Sequence, residues 1–84
     1  MKQKETITTS ENIKLIIGNR VKSLRAKNGI SVRECAARVG ISARAFSDIE
    51  HGRSEPRATT LVNLAILFGV SVDLICGRNA HSVE

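Results

Sequence analysis

The stretch Ser31–Gly52, SVRECAARVGISARAFSDIEHG, decides the fold. Ser31 is placed to cap a helix. Glu34, three residues on, completes a capping box, in which the hydroxyl takes one free amide and the carboxylate reaches back. Ala36, Ala37 and Val39 carry this helix, and Gly40 ends it, because a chain leaving a helix commonly passes through a left-handed residue. Ile41 is expected to be buried in the turn. Ser42 then caps a second helix through Arg44, Ala45, Phe46, Ile49 and Glu50, and Gly52 stops it. Two short helices this close in sequence pack at a steep angle, with the second held outward. Small Ala36 and Ala45 let the backbones approach, and Phe46 and Ile49, three apart, point inward. Ser42, Ala43, Arg44, Ser47 and Asp48 are left facing out. The spacing predicts a helix-turn-helix unit. The plainer reading of the same pattern is an antiparallel helix pair in a small bundle.

Working outward, residues 1–11 are polar and without periodicity, and read as a flexible tail. A helix is expected from Asn12 or Ile13 to about Lys27, with Ile13, Ile17, Val21 and Leu24 as its apolar stripe. Asn28 and Gly29 close it, and Ile30 anchors the crossing into the central motif. Beyond Gly52 lies RSEPRATT, a loop carrying Arg53 and Arg57, in which Pro56 pushes Glu55 out of helical geometry. Ala58 or Thr59 opens the next helix, with Leu61, Leu64, Ala65 and Phe68 inward and Gly69 at its end. Ser71 caps a last turn or two, where Asp73 suits the positive helix end. Leu74, Ile75 and Cys76 supply its apolar content, and Gly77 terminates it. Residues 78–84 are expected to fray. The fold read from this is all-α, a five-helix bundle with a central helix-turn-helix over residues 12–77.

A chain of 84 residues allows one domain. With two Phe and no Trp or Tyr, its core must be aliphatic. There is no apolar run of membrane-spanning length, and the N-terminus is too polar for a signal peptide, so a cytoplasmic protein is expected. Cys35 and Cys76 form no CxxC and have no neighbouring His, which makes them small core hydrophobes rather than a disulfide or a metal pair. His51 and His81 have no partner at ligand spacing, and neither metal nor cofactor is indicated.

Charge distribution says more than the net +5. Twelve of the thirteen Lys and Arg fall in residues 1–57, beside six carboxylates, whereas Asp73 is the only charge from Ala58 to Gly77. One part of the chain suits phosphates and the other avoids water. In the penultimate helix the inward stripe leaves Val62, Ile66 and Leu67 on other faces, and the last helix adds Val72 and Leu74. A helix apolar nearly all round is normally buried on both sides, so these five residues are expected to form a dimer interface.

Taken together, Leu24-Arg25, Gly29-Ile30-Ser31, Glu34-Cys35-Ala36, Val39-Gly40-Ile41-Ser42, Ile49-Glu50-His51-Gly52, Pro56 and Leu67-Phe68-Gly69-Val70-Ser71 resemble the XRE family of helix-turn-helix proteins, which includes lambda-type repressors and Cro proteins. The resemblance covers about residues 13–77. It implies that residues 42–51 form a recognition helix in the major groove of double-stranded DNA. It also implies that Arg25 and Glu50 form a structural ion pair. His51, Arg53 and Arg57 match positions that touch phosphate, and Ser42, Ala43, Arg44, Ser47 and Asp48 match positions that meet bases or flanking phosphates. Three residues depart from the pattern. Val32 stands where the family commonly carries a phosphate-binding Gln, Ala43 offers only a methyl group, and Asp48 replaces a residue that is often basic or an amide. These changes either weaken or redirect DNA binding.

Arg44 is the candidate base reader, since Arg bidentate to guanine is the commonest specific contact. The alternative is a solvated Arg held by Asp48, four residues on. Arg33, near the start of its helix, is within reach of a phosphate, whereas Arg38 reads as a surface charge. No catalytic constellation is present, so an enzyme is not indicated. The reading is a DNA-binding transcriptional regulator of repressor type, acting as a homodimer on a two-fold operator. The alternative is a protein-binding module, an antitoxin or antirepressor on the same fold, with DNA binding weak or secondary.

Overall fold

The computed structural model describes residues 7–78, and the expected tails fall largely outside them. Five helices follow in order: α1 (Ser10–Asn28), α2 (Val32–Val39), α3 (Ala43–Glu50), α4 (Ala58–Phe68) and α5 (Val72–Ile75). No strand occurs among the described residues. Helix ends are set locally. Thr9, Ser31, Ser42 and Ser71 each accept a hydrogen bond from the amide three residues on, at 3.0–3.1 Å, which satisfies one otherwise unpaired first-turn donor per helix. Thr9 moves the start of α1 to Ser10, two residues before the expected Asn12, so the helix takes up part of the stretch read as tail. Gly40, at φ 79°, ends α2 as its position requires. The capping box at Ser31 is only half formed. The hydroxyl bond to the Glu34 amide is present, but the Glu34 carboxylate lies 3.5 Å from Arg38 Nη1 instead, the favourable i,i+4 pairing along an exposed helix face.

The core is aliphatic around one ring. Ile17 and Val21 of α1, Cys35, Ala36 and Val39 of α2, Phe46 and Ile49 of α3, Leu64 and Ala65 of α4, and Ile75 of α5 are buried together. Ile13, Leu24, Ile41, Leu61 and Phe68 pack against it half-buried, so each expected stripe faces inward but its ends reach the rim. Both cysteines are free. Cys35 lies within the core and Cys76 at its margin, and burial pushes both thiols above their ordinary range. They therefore stay protonated at neutral pH and act as small hydrophobes.

Two contacts set the orientation of α3. At Gly18 of α1, an added Cβ would stand 2.6 Å from the Ile49 carbonyl oxygen and 2.8 Å from that of Glu50. Only the missing side chain lets the end of α3 lie against α1. Beside this crossing, Arg25 Nε donates to Glu50 Oε2 at 2.6 Å, Nη2 to Oε1 at 3.2 Å, and Nη1 to the Ile30 carbonyl at 3.0 Å. The Glu50 side chain is 3% exposed, so a bidentate, hydrogen-bonded partner is what makes its burial tolerable. The hydrogen bond to Glu50 also holds the Arg25 pKa above its ordinary value. One guanidinium thus joins α1, the α1–α2 crossing and α3.

Candidate nucleic-acid interface

α3 buries Phe46, Ile49 and Glu50, and helical periodicity turns the remaining positions outward. Ser42, Ala43 and Arg44 are exposed, while Ser47 and Asp48 are half-buried on the same stripe. His51 follows one turn later, fully on the surface. Its Nδ1 lies 2.8 Å from the Ser47 carbonyl oxygen. A carbonyl only accepts, so this contact requires the proton on Nδ1. Nε2 makes no hydrogen bond among the described residues.

The structure separates the two readings of Arg44. Asp48 pairs with Arg53, not with Arg44: Arg53 Nε donates to Asp48 Oδ1 at 3.0 Å. The sequence made Arg44 the local candidate by i,i+4 spacing, but the turn after α3 brings Arg53 back alongside the helix and it takes the carboxylate. Arg44 has no ion-pair partner among the described residues and stands exposed in the first turn of α3. It is therefore free to meet a ligand.

Arg57 occupies the N-cap position of α4, where its guanidinium, with no acceptor, leaves the first amides uncapped, and it is exposed. Pro56, Arg57 and Thr60 share a shallow groove with Ala45 and Ile49 of α3, so the loop runs beside the flank of the outward helix. Arg33 lies exposed in the first turn of α2, and Arg38 near its end is drawn to Glu34. Ser42, Ala43, Arg44, Ser47, Asp48, His51 and Arg53 thus lie on or just beyond one helix, with Arg57 on the adjoining loop. Val32, by contrast, is half-buried against the core, so the position that commonly carries a phosphate-binding Gln serves packing here.

On the apolar side the expected set divides. Ile66 and Val62, four apart on α4, are 72% and 47% exposed. Leu67 and Val72 instead pack half-buried against the molecule's own core, and Leu74 is half-buried. The chain turns at Gly69 in left-handed geometry and brings Val72 and Ile75 of α5 back to the same core. Sequence reasoning missed the exposed Leu15 and Ile16 of α1. Their only signal was an apolar run, Leu15-Ile16-Ile17, wider than the stripe needed.

Residues 16–75 match the helix-turn-helix domain family. The chain is 37% identical over 59 residues to the HTH-type transcriptional regulator DdrOP3 of Deinococcus deserti, covering 69% of this chain and 46% of that protein. It is 35% identical over 65 residues to the uncharacterised HTH-type transcriptional regulator y4dJ of Sinorhizobium fredii, covering 76% of this chain and 84% of the relative. Among solved structures, an HTH_3 family transcriptional regulator from Vibrio cholerae superposes with a TM-score of 0.74 at 30% identity, over 84% of this chain and 40% of that one. The chain thus spans about half of the first relative and most of the second. With the capped helix pair, the outward α3 and the buried Arg25–Glu50 brace, these matches place the chain in the XRE-type helix-turn-helix family of transcriptional regulators.

Proposed function

We propose that this chain is a sequence-specific DNA-binding repressor that acts as a homodimer on a two-fold operator, with α3 seated in the major groove. The observation that carries the reading is the outward stripe of α3, whose unpaired Arg44 is flanked by His51 and by Arg57 on the adjoining loop. In such a stripe Arg44 reads a base, while His51, Arg57 and Arg33 position the protein on phosphates. Ala43 contributes contact with a thymine methyl. The apolar pair Val62 and Ile66 supports a two-fold partner, which would set two recognition helices about 34 Å apart, one helical turn of DNA.

A fluorescence titration against a duplex recovered by selection, and against a random duplex, at two salt concentrations tests the reading. Tight binding to the selected duplex with a steep salt slope is expected. Arg44→Ala should relax the selected preference at one base pair and cost about 1–3 kcal/mol on that site, with much less change on random DNA. If selection returned no preferred sequence, or the same one for wild type and Arg44→Ala, α3 would not be the reader. No binding even at low salt would leave the protein-binding module as the better account.

A further inference from the structure

The end of α3 singles out Arg53. Gly52, at φ 71°, turns the chain so that its own amide donates to the Ile49 carbonyl at 3.1 Å and the Arg53 amide donates to the Asp48 carbonyl at 2.8 Å. These are the two closing bonds of a Schellman motif. The Arg53 side chain then returns to the same residue, with Nε on Asp48 Oδ1 at 3.0 Å. Arg53 is tied to Asp48 through backbone and side chain together.

Asp48 sits against the local electrostatics. A carboxylate near the C-terminus of a helix meets the negative end of the dipole, and α3 has no basic residue in its last turn. On a stripe that faces DNA it also repels phosphates. Arg53 offsets both effects, and it keeps most of its own capacity while doing so. A guanidinium offers five N–H donors in one rigid plane. Nε is engaged, and neither Nη1 nor Nη2 makes a hydrogen bond among the described residues. Holding Nε at the helix end restricts the orientations open to the plane in which the other four donors lie.

We propose that Asp48 is a positioning residue for DNA recognition, locking the Arg53 guanidinium beside the recognition helix so that its Nη edge meets a phosphate in one register only. The inference rests on the DNA-binding reading above. Because the two charges largely cancel, the pair adds little to the long-range attraction for any duplex. Arg53 then acts where its geometry is met, on the correctly seated complex. Arg57, which has no ion-pair partner among the described residues, acts on every duplex alike. Sequence position alone groups the two arginines together, and the Asp48 contact is what divides them.

Charge and positioning call for opposite outcomes when Asp48 is replaced. Asp48→Ala and Asp48→Asn remove the same negative charge, but Asn keeps a carbonyl that can accept from Arg53 Nε. The probes are the duplex recovered by selection and a random duplex, titrated by fluorescence anisotropy. Both variants should bind random DNA about threefold more tightly, through charge alone. On the selected duplex Asp48→Ala should bind about tenfold more weakly, with Asp48→Asn between it and wild type. In an Arg53→Ala background, Asp48→Ala should no longer weaken the selected complex. Equal tightening on both duplexes by both variants would reduce Asp48 to a charge and overturn the proposal. So would a loss of selected-site affinity that persists without Arg53, because Asp48 would then contact the DNA itself. A wild type with no affinity for either duplex at low salt would overturn the DNA-binding reading, and the positioning role with it.

Discussion

The Glu50 carboxylate is almost out of water, and both its oxygens are held by Arg25. The guanidinium also binds the Ile30 carbonyl, so the pair closes a three-way junction rather than joining two surface groups. Glu55 is the natural control. It is exposed and accepts one hydrogen bond, from Ser10 Oγ at 3.0 Å. Glu50→Ala should cost about 3 kcal/mol, because it leaves a partly buried guanidinium without its partner. Glu55→Ala should stay within about 0.5 kcal/mol. Chemical denaturation of both variants checks this, and equal small losses would show that the junction does not hold α3. The pair should also be insensitive to alkali over the usual range. The folded Arg25 pKa is raised, so its stabilisation is complete below the unfolded guanidinium's own high value and fades only as pH climbs through the folded one.

At the scale of elements, the α1–α3 crossing depends on a residue with no side chain. Gly18 lies inside a helix of 19 residues, where intrinsic propensity alone favours Ala by about 1 kcal/mol. The contact with the α3 carbonyls reverses that sign. Backbone atoms at 2.6 and 2.8 Å from the added methyl cannot rotate away as a flexible side chain would, so α3 itself must shift. Gly18→Ala should destabilise by about 2 kcal/mol, and it should weaken DNA binding further because it tilts the outward stripe. Thermal denaturation with a parallel DNA titration gives both readings. A variant more stable than wild type would mean that the crossing yields freely and that α3 is not held from behind.

At the scale of the whole molecule, the division of charge becomes a division of surfaces. Arg33, Arg44, His51, Arg53 and Arg57 are exposed around α2, α3 and the following loop, while Val62 and Ile66 stand exposed on α4. Beside them a shallow groove is lined by Arg38, Asn63, Ile66 and Leu67. A two-fold contact there is expected to remove Ile66 from water and leave α3 free. Sedimentation of the wild type at tens of micromolar should show a dimer, and Ile66→Lys or Val62→Lys should give monomers with stability close to wild type, since neither side chain is in the core. A monomeric wild type would remove the proposed dimer, and charged variants that remain dimeric would place the contact elsewhere. Leu67→Lys is a poorer probe, because Leu67 packs against its own core and the variant would report on folding.

What the chain alone determined was set within three or four residues. Ser31, Ser42 and Ser71 cap from the residue before each helix, Gly40 and Gly69 stop helices in left-handed geometry, and Phe46 with Ile49 marks the inner face of α3. Those signals are legible because donor and acceptor, or neighbouring side chains, are joined by short fixed backbone. The Arg25–Glu50 pair, 25 residues apart, was legible only through resemblance. The folded structure decided the choices among partners that spacing leaves equal, and the packing of one element on another. Asp48 had Arg44 at helical spacing, but the Schellman turn delivered Arg53 to its carboxylate. Glu34 had Ser31 to reach back to, yet Arg38 offered a charge on the same face. Leu67 and Val72 looked as bare as Ile66 until the bundle closed and packed them against its core. Gly18 read as a flaw in a good helix until α3 lay against it. The Asp48 and Glu34 outcomes are still local, and spacing alone does not rank their partners; those of Leu67 and Gly18 depend on where a second element comes to rest, and no local pattern of residues encodes that position.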